Sequence, residues 1–164
     1  MDWPKIEDAL HAWLKGATGV TCIWAEQSAP QPKPPYCTLR IDGPRRLGGA
    51  DELRQEADGH DVRQLAVGQR ELTLQCQAFT AGTNGQATAR ELLTKAQARL
   101  SLPAVQEQLA DVGLAVIDEG NVQNVSTVLE TKWQGRAALD VRFGCADFAE
   151  ERVGSIESVE FAGP

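Results

Sequence analysis

Three stretches of the chain alternate apolar and polar residues with a period of two, and this pattern constrains the fold more than any other feature. Cys37, Leu39 and Ile41 are interleaved with Tyr36, Thr38, Arg40 and Asp42. Within Arg70–Phe79, Leu72, Leu74, Cys76 and Ala78 form one set, and Thr73, Gln75 and Gln77 the other. Within Arg136–Phe143, Ala137, Leu139, Val141 and Phe143 oppose Arg136, Ala138, Asp140 and Arg142. Successive side chains of a strand point to opposite faces. Each stretch therefore predicts a strand that buries one face and leaves the other to water or a wet interface.

The buried faces need cover, and helical stripes can supply it. Trp3, Ile6, Leu10, Trp13 and Leu14 recur three or four apart. They predict a helix over residues 4–15, with Pro4 in its first turn and Gly16 or Gly19 as its stop. His11 falls on the polar side of this helix. Ala89, Leu92, Leu93, Ala96 and Leu100 predict a second helix over residues 84–100, rich in strong helix formers. Ser101-Leu102-Pro103 reads as an N-cap, with proline in the first turn of a short third helix. That helix turns Val105, Leu109 and Val112 inward and stops at Gly113. Further strands are expected at Val20–Ala25, Leu114–Ile117, Val122–Trp133 (with a bend) and Ser155–Phe161. Helices do not interleave one-to-one with strands. The fold class expected is therefore α+β, an antiparallel or mixed β-sheet with helices packed on one face. At 164 residues, residues 1–164 fit a single domain.

Two segments stand apart. Residues 28–35 hold four of the eight prolines and read as an extended, semi-rigid connector. Residues 43–67 mix Arg45, Arg46, Arg54 and Arg63 with Asp51, Glu52, Glu56, Asp58 and Asp61, and have few large apolar groups. Such a stretch buries too little to order alone. It is expected to be a protruding loop or long hairpin that orders against a partner. Its four arginines are candidate interface residues, because the planar guanidinium suits interface ion pairs.

Catalytic and metal chemistry are not expected. Cys22, Cys37, Cys76 and Cys145 are too far apart for a CxxC pair and sit among apolar neighbours, as small buried hydrophobes do. Asp58-Gly59-His60-Asp61 has ligand types for a divalent metal, but a single cluster in a charged stretch reads as a solvated loop. Gly82-Thr83-Asn84-Gly85 lacks the lysine of a phosphate loop and reads as a strand-to-helix turn. No apolar run reaches the ~18–20 residues of a membrane span. The opening Met1-Asp2-Trp3-Pro4 has no basic stretch before an apolar one, so no standard secretory signal is expected. A net charge of −7 argues against wrapping nucleic acid.

The run from Cys22 to Ile41 is distinctive: a strand, Trp24-Ala25, a polar step, a proline-rich step, Pro35-Tyr36 and a second strand. It resembles a signature of the phage neck and tail terminator proteins of long-tailed phages. Trp13-Leu14 closing the first helix, the strand Arg70–Phe79, the helix Ala89–Leu100, the strand Arg136–Phe143 and the segment Gly154–Val159 resemble other parts of that family in order and type. Residues 43–67 have no counterpart in the resemblance. The family implies a terminator-like domain without catalysis, cofactor or metal. It implies a homo-oligomeric ring, commonly a hexamer, at the head-proximal end of the tail tube, where it ends tube polymerisation. Implied partners are the tail tube protein, neck and connector proteins, and the tail sheath if the tail contracts. DNA only passes through the bore. Assembly in the host cytoplasm and residence in the virion follow from the same resemblance. An alternative is a head-completion or connector-adaptor protein. In a ring, Arg45, Arg46, Arg54 and Arg63 would meet acids of a neighbouring subunit, tube protein or connector. Glu150, Glu151, Glu157 and Glu160 would line a rim or lumen, and acidic walls would let a polyanion pass without sticking.

Overall fold

The structure is a computed structural model that describes residues 1–28, 30–58, 61–82, 85–129 and 132–154. The first element is α1 (Trp3–Thr18), longer at both ends than the apolar stripe alone predicts. The Asp2 side chain accepts a hydrogen bond from the Lys5 amide, Pro4 sits in the first turn, and Gly19 closes the helix at φ 71°. Gly19, not Gly16, is the stop, because only the left-handed position returns an N–H to Lys15 O. There follow β1 (Thr21–Trp24), β2 (Tyr36–Arg46), β3 (Glu52–Asp58) and β4 (Asp61–Ala81). The helices α2 (Gly85–Leu100) and α3 (Pro103–Asp111) come next. Pro103 sits in the first turn of α3 as expected; the N-cap position is Leu102, and no side chain caps it. The chain then runs through β5 (Leu114–Glu119), β6 (Gln123–Asn124), β7 (Thr127–Leu129) and β8 (Lys132–Gly154). The bend expected in Val122–Trp133 is a break between β6 and β7. There Asn124 Oδ1 accepts from the Ser126 amide and hydroxyl at 3.1 and 2.6 Å, drawing the backbone out of the ladder. The strand expected at Ser155–Phe161 lies outside the described residues, as do His60, Thr83 and Asn84.

All eight strands form one mixed sheet, ordered β1-β2-β4-β8-β5. Among the described residues only β1 and β2 run parallel, joined by the proline-rich connector. The spine is the antiparallel pair β4 and β8, which stay in register from Asp61↔Gly154 to Ala81↔Gln134. Leu72, Leu74, Cys76 and Ala78 of β4, Cys37 and Leu39 of β2, and Ala137, Leu139, Val141 and Phe143 of β8 are buried on one face. Over them lie Ile6, Leu10, Trp13 and Leu14 of α1, the full predicted stripe of α2, and Leu109 of α3. Helices cover one face of the sheet, as the alternating strands require. His11 is half-buried rather than solvated, and its Nε2 donates to Cys22 O at 3.0 Å, tying α1 to β1.

The helices cover only half of the spine. Beyond Arg70 and Cys145, β4 and β8 continue together to the turn end of β4, and β3 pairs with β4 from Glu52↔Val67 to Asp58↔Asp61. The excursion is thus a hairpin, β3–β4, laid beside the far end of β8. It forms a three-stranded arm about 30 Å long at the usual rise per residue. β2 and β3 share one edge of β4, while β5, β6 and β7 flank β8 only up to Cys145.

Candidate interface surfaces

Two surfaces without helix cover follow from this layout, and a charged junction joins them. At the junction, Arg70 of β4 grips Asp51 with both guanidinium ends: Nη1 to Oδ1 and Nη2 to Oδ2, each 2.8 Å. Arg46 Nη2 lies 3.3 Å from the same carboxylate, and Asp147 Oδ2 is 3.7 Å from Arg70 Nη2. Gly68 leaves the room for this pair, since a Cβ there would fall 2.1 Å from Arg70 Nη1 and 2.4 Å from Asp51 Oδ1. Arg70's hydrogen bonds hold the Asp51 carboxyl below its ordinary value, and the charge of Arg46 adds to the pull. The Leu47 amide donates to Gln69 O at 3.0 Å, so the segment between β2 and β3 is pinned to β4. The sequence hides this junction because its partners are scattered along the chain and each looks like an ordinary surface charge.

The uncovered face of the body sheet is polar, with one aromatic end. Tyr36 stacks on Phe79 at 4.7 Å between ring centres, and Arg136 lies over Phe79 at 5.1 Å while bonding Gln77 Oε1. At the other end Glu71 is buried, with Arg45 Nη2 2.7 Å and Arg142 Nη1 3.5 Å from its carboxylate. Asp42, Gly43, Arg45, Glu71, Thr73 and Arg142 frame a recess of about 330 Å³ there. Gly43 makes the bulge that turns Arg45 onto Glu71. Its φ is 110°, a Cβ would sit 3.1 Å from Glu71 O, and the β2–β4 register shifts between Asp42 and Arg45.

The arm is exposed on both faces. On one, cross-strand rows place Glu52, Val67 and Phe148 side by side, then Arg54, Leu65 and Glu150, then Glu56, Arg63 and Arg152. Arg54 pairs with Glu52 at 3.0 Å. Arg63 bonds Glu56 and reaches Glu150 at 3.9 Å. On the other face, Leu53, Ala66 and Ala149 make one row and Ala57, Val62 and Val153 another. Phe148 is 60% exposed and Leu53 74%, the most open large apolar side chains among the described residues. No described strand pairs with the outer edge of β3, nor, beyond Cys145, with the edge of β8 that faces away from β4.

The structure separates the sequence-nominated arginines. Arg45 belongs to the body and Arg46 to the junction, whereas Arg54 and Arg63 share the arm. Of the nominated acids, Glu150 joins Arg63 on one face and Glu151 turns to the other, opposite Gln64. Glu157 and Glu160 lie outside the described residues. Leu53, Phe148, Glu71, Arg70 and Asp51 were not nominated. For Leu53 the one available signal was a charge on each side, Glu52 and Arg54; Phe148 has only Asp147 beside it.

Among the described residues, no group of three or more His, Cys, Asp or Glu side chains could hold a metal ion, and no helix is long and apolar enough to cross a membrane. A search of curated proteins finds no match to the chain. A family model described as phage neck terminator protein matches residues 5–163, so the matched span takes in the arm as well as the body. With nearly the whole length matched, the chain belongs to the phage neck terminator protein family: it is a structural protein of the virion neck that associates with other tail and neck components.

Proposed function

We propose that the protein forms a homo-oligomeric ring, a hexamer, at the head-proximal end of the tail tube, ending tube polymerisation and joining the tail to the neck connector. The observation that carries this reading is the arm. Among the described residues it is a three-stranded sheet with an unpaired edge on each side, apolar rows on one face, the exposed Phe148 on the other, and no helix over either. Unpaired edges invite strand addition and are covered in stable proteins. An edge at β3 and another at β8 lie on opposite sides of one arm, so head-to-tail contact between copies uses both and generates a closed ring when the rotation closes. Arg54 and Arg63, paired within their own arm at exposed positions, exchange acids with the neighbouring arm. Arg46 keeps the base of the arm in place, and Arg45 holds Glu71 in the body. Glu150 and Glu151 face the rim, and each copy's net −7 keeps the bore from holding DNA.

Mass measurement of the purified protein, alone and with tail tube protein, tests the proposal. The expected result is a discrete ring near six subunits, formed alone or on the tube. A particle that stays monomeric and never co-assembles with tube or connector overturns it. Locating the density in the virion separates a tube-end ring from a head-completion or connector-adaptor ring.

A further inference from the structure

We propose that Cys22 and Cys37 are a latent disulfide site that staples β1 to β2 when the protein meets an oxidising environment. The two residues are direct register partners on adjacent parallel strands and belong to the same buried core on the helix side of the sheet. Adjacent strands lie about 4.8 Å apart. That is inside the roughly 4.4–6.8 Å between Cα atoms that a disulfide spans. Cys22 is 7% exposed and Cys37 fully buried, so both side chains lie inside the core.

No other pair fits as well. Cys76 opposes Leu39 while Cys37 opposes Ala78, so those two cysteines are diagonal neighbours. Diagonal positions are about 7–8 Å apart, beyond the roughly 7 Å limit for bridging. Cys145 opposes Arg70 and Leu114, with β4 and β2 between it and Cys22.

The geometry also assigns roles. Cys22 sits on a four-residue edge strand, the part of the sheet most readily opened, and its Sγ is 3.9 Å from Thr18 Oγ1. Its thiolate attacks a low-molecular-weight disulfide such as oxidised glutathione, expelling one small thiolate and leaving a mixed disulfide. Cys37 then loses its proton and attacks the Cys22 sulfur, expelling the second. Two protein thiols are oxidised, one external disulfide is reduced to two thiols, and the protons leave with them. The bridge closes the loop that contains the proline-rich connector. It stays open in a reducing compartment and closes outside one.

The test is to incubate the folded, reduced protein with oxidised glutathione, quench with acid, count thiols in denaturant and map the peptides. The expected result is a fall from four free thiols to two, one linked peptide joining Cys22 to Cys37, and reversal by dithiothreitol. Cys76→Ser and Cys145→Ser still form the link, and Cys22→Ser and Cys37→Ser do not. The wild-type peptide map decides the matter even where a serine variant fails to fold. Four thiols remaining, a stable glutathione adduct on Cys22 without a bridge, or a link through Cys76 or Cys145 overturns the proposal. None of these outcomes depends on whether the protein forms a ring.

Discussion

At the residue scale, the positions that matter most are those where one side chain sets the relation between body and arm. Asp51 is the clearest, gripped by Arg70 and approached by Arg46. Its depressed carboxyl pKa gives the pair a defined pH signature. Its contribution to stability is full above the ordinary carboxylate range, near about pH 4, and is lost as pH falls through the lower native value. We expect the melting-temperature difference between wild type and Asp51→Asn to be constant from about pH 7 to about pH 5 and to shrink below about pH 4. A difference that persists unchanged into strong acid would remove Asp51 from the junction. Gly43 is the second such position. Alanine there must adopt φ near 110° against Glu71 O, and we expect Gly43→Ala to cost at least about 1 kcal/mol in urea unfolding. A neutral result would mean the bulge relaxes.

At the scale of elements, β4 and β8 each do two jobs. Their inner halves are the core of the sheet and their outer halves are the arm. Burial differs sharply between the halves: Leu74 is fully buried and Leu53, across from the outer half of β4, is 74% exposed. We therefore expect Leu74→Ala to cost about 2–5 kcal/mol by urea denaturation. Leu53→Asp and Phe148→Asp should change monomer stability by no more than about 0.5 kcal/mol. In the ring reading, those two aspartates abolish assembly, because each replaces an exposed apolar side chain meant for a neighbour with a charge. Normal assembly of both variants would show that the arm is not the contact.

At the scale of the whole molecule, charge and exposed surface point the same way. Arg54, Arg63 and Arg152 are outnumbered on the arm by acids such as Glu52, Glu56, Asp147, Glu150 and Glu151. A surface of that sign repels phosphate. We expect no retention of double-stranded DNA by the protein at about 0.15 M salt, and none gained on dilution to lower salt, where attraction to a cationic surface would strengthen. Tight binding that weakens with added salt would mean that the exposed arginines act as phosphate contacts.

The sequence by itself determined the body. Every apolar position of β2, β4 and β8 read from the alternation is buried or packed against the core, and the stripe Ala89, Leu92, Leu93, Ala96 and Leu100 is the buried face of α2. Periodicity is a record of burial, so it is legible wherever one face is dry. It is silent in the arm, where residues 61–69 and 146–154 are strands held by pairing to each other and not by a covered face. Hydrogen-bond pairing leaves no mark on residue type comparable to burial. The same holds for Arg70 and Asp51, and for Glu71 with Arg45 and Arg142. An ion pair needs only two opposite charges, and the chain has many. Which of them meet was decided only when β2, β3, β4 and β8 were laid side by side.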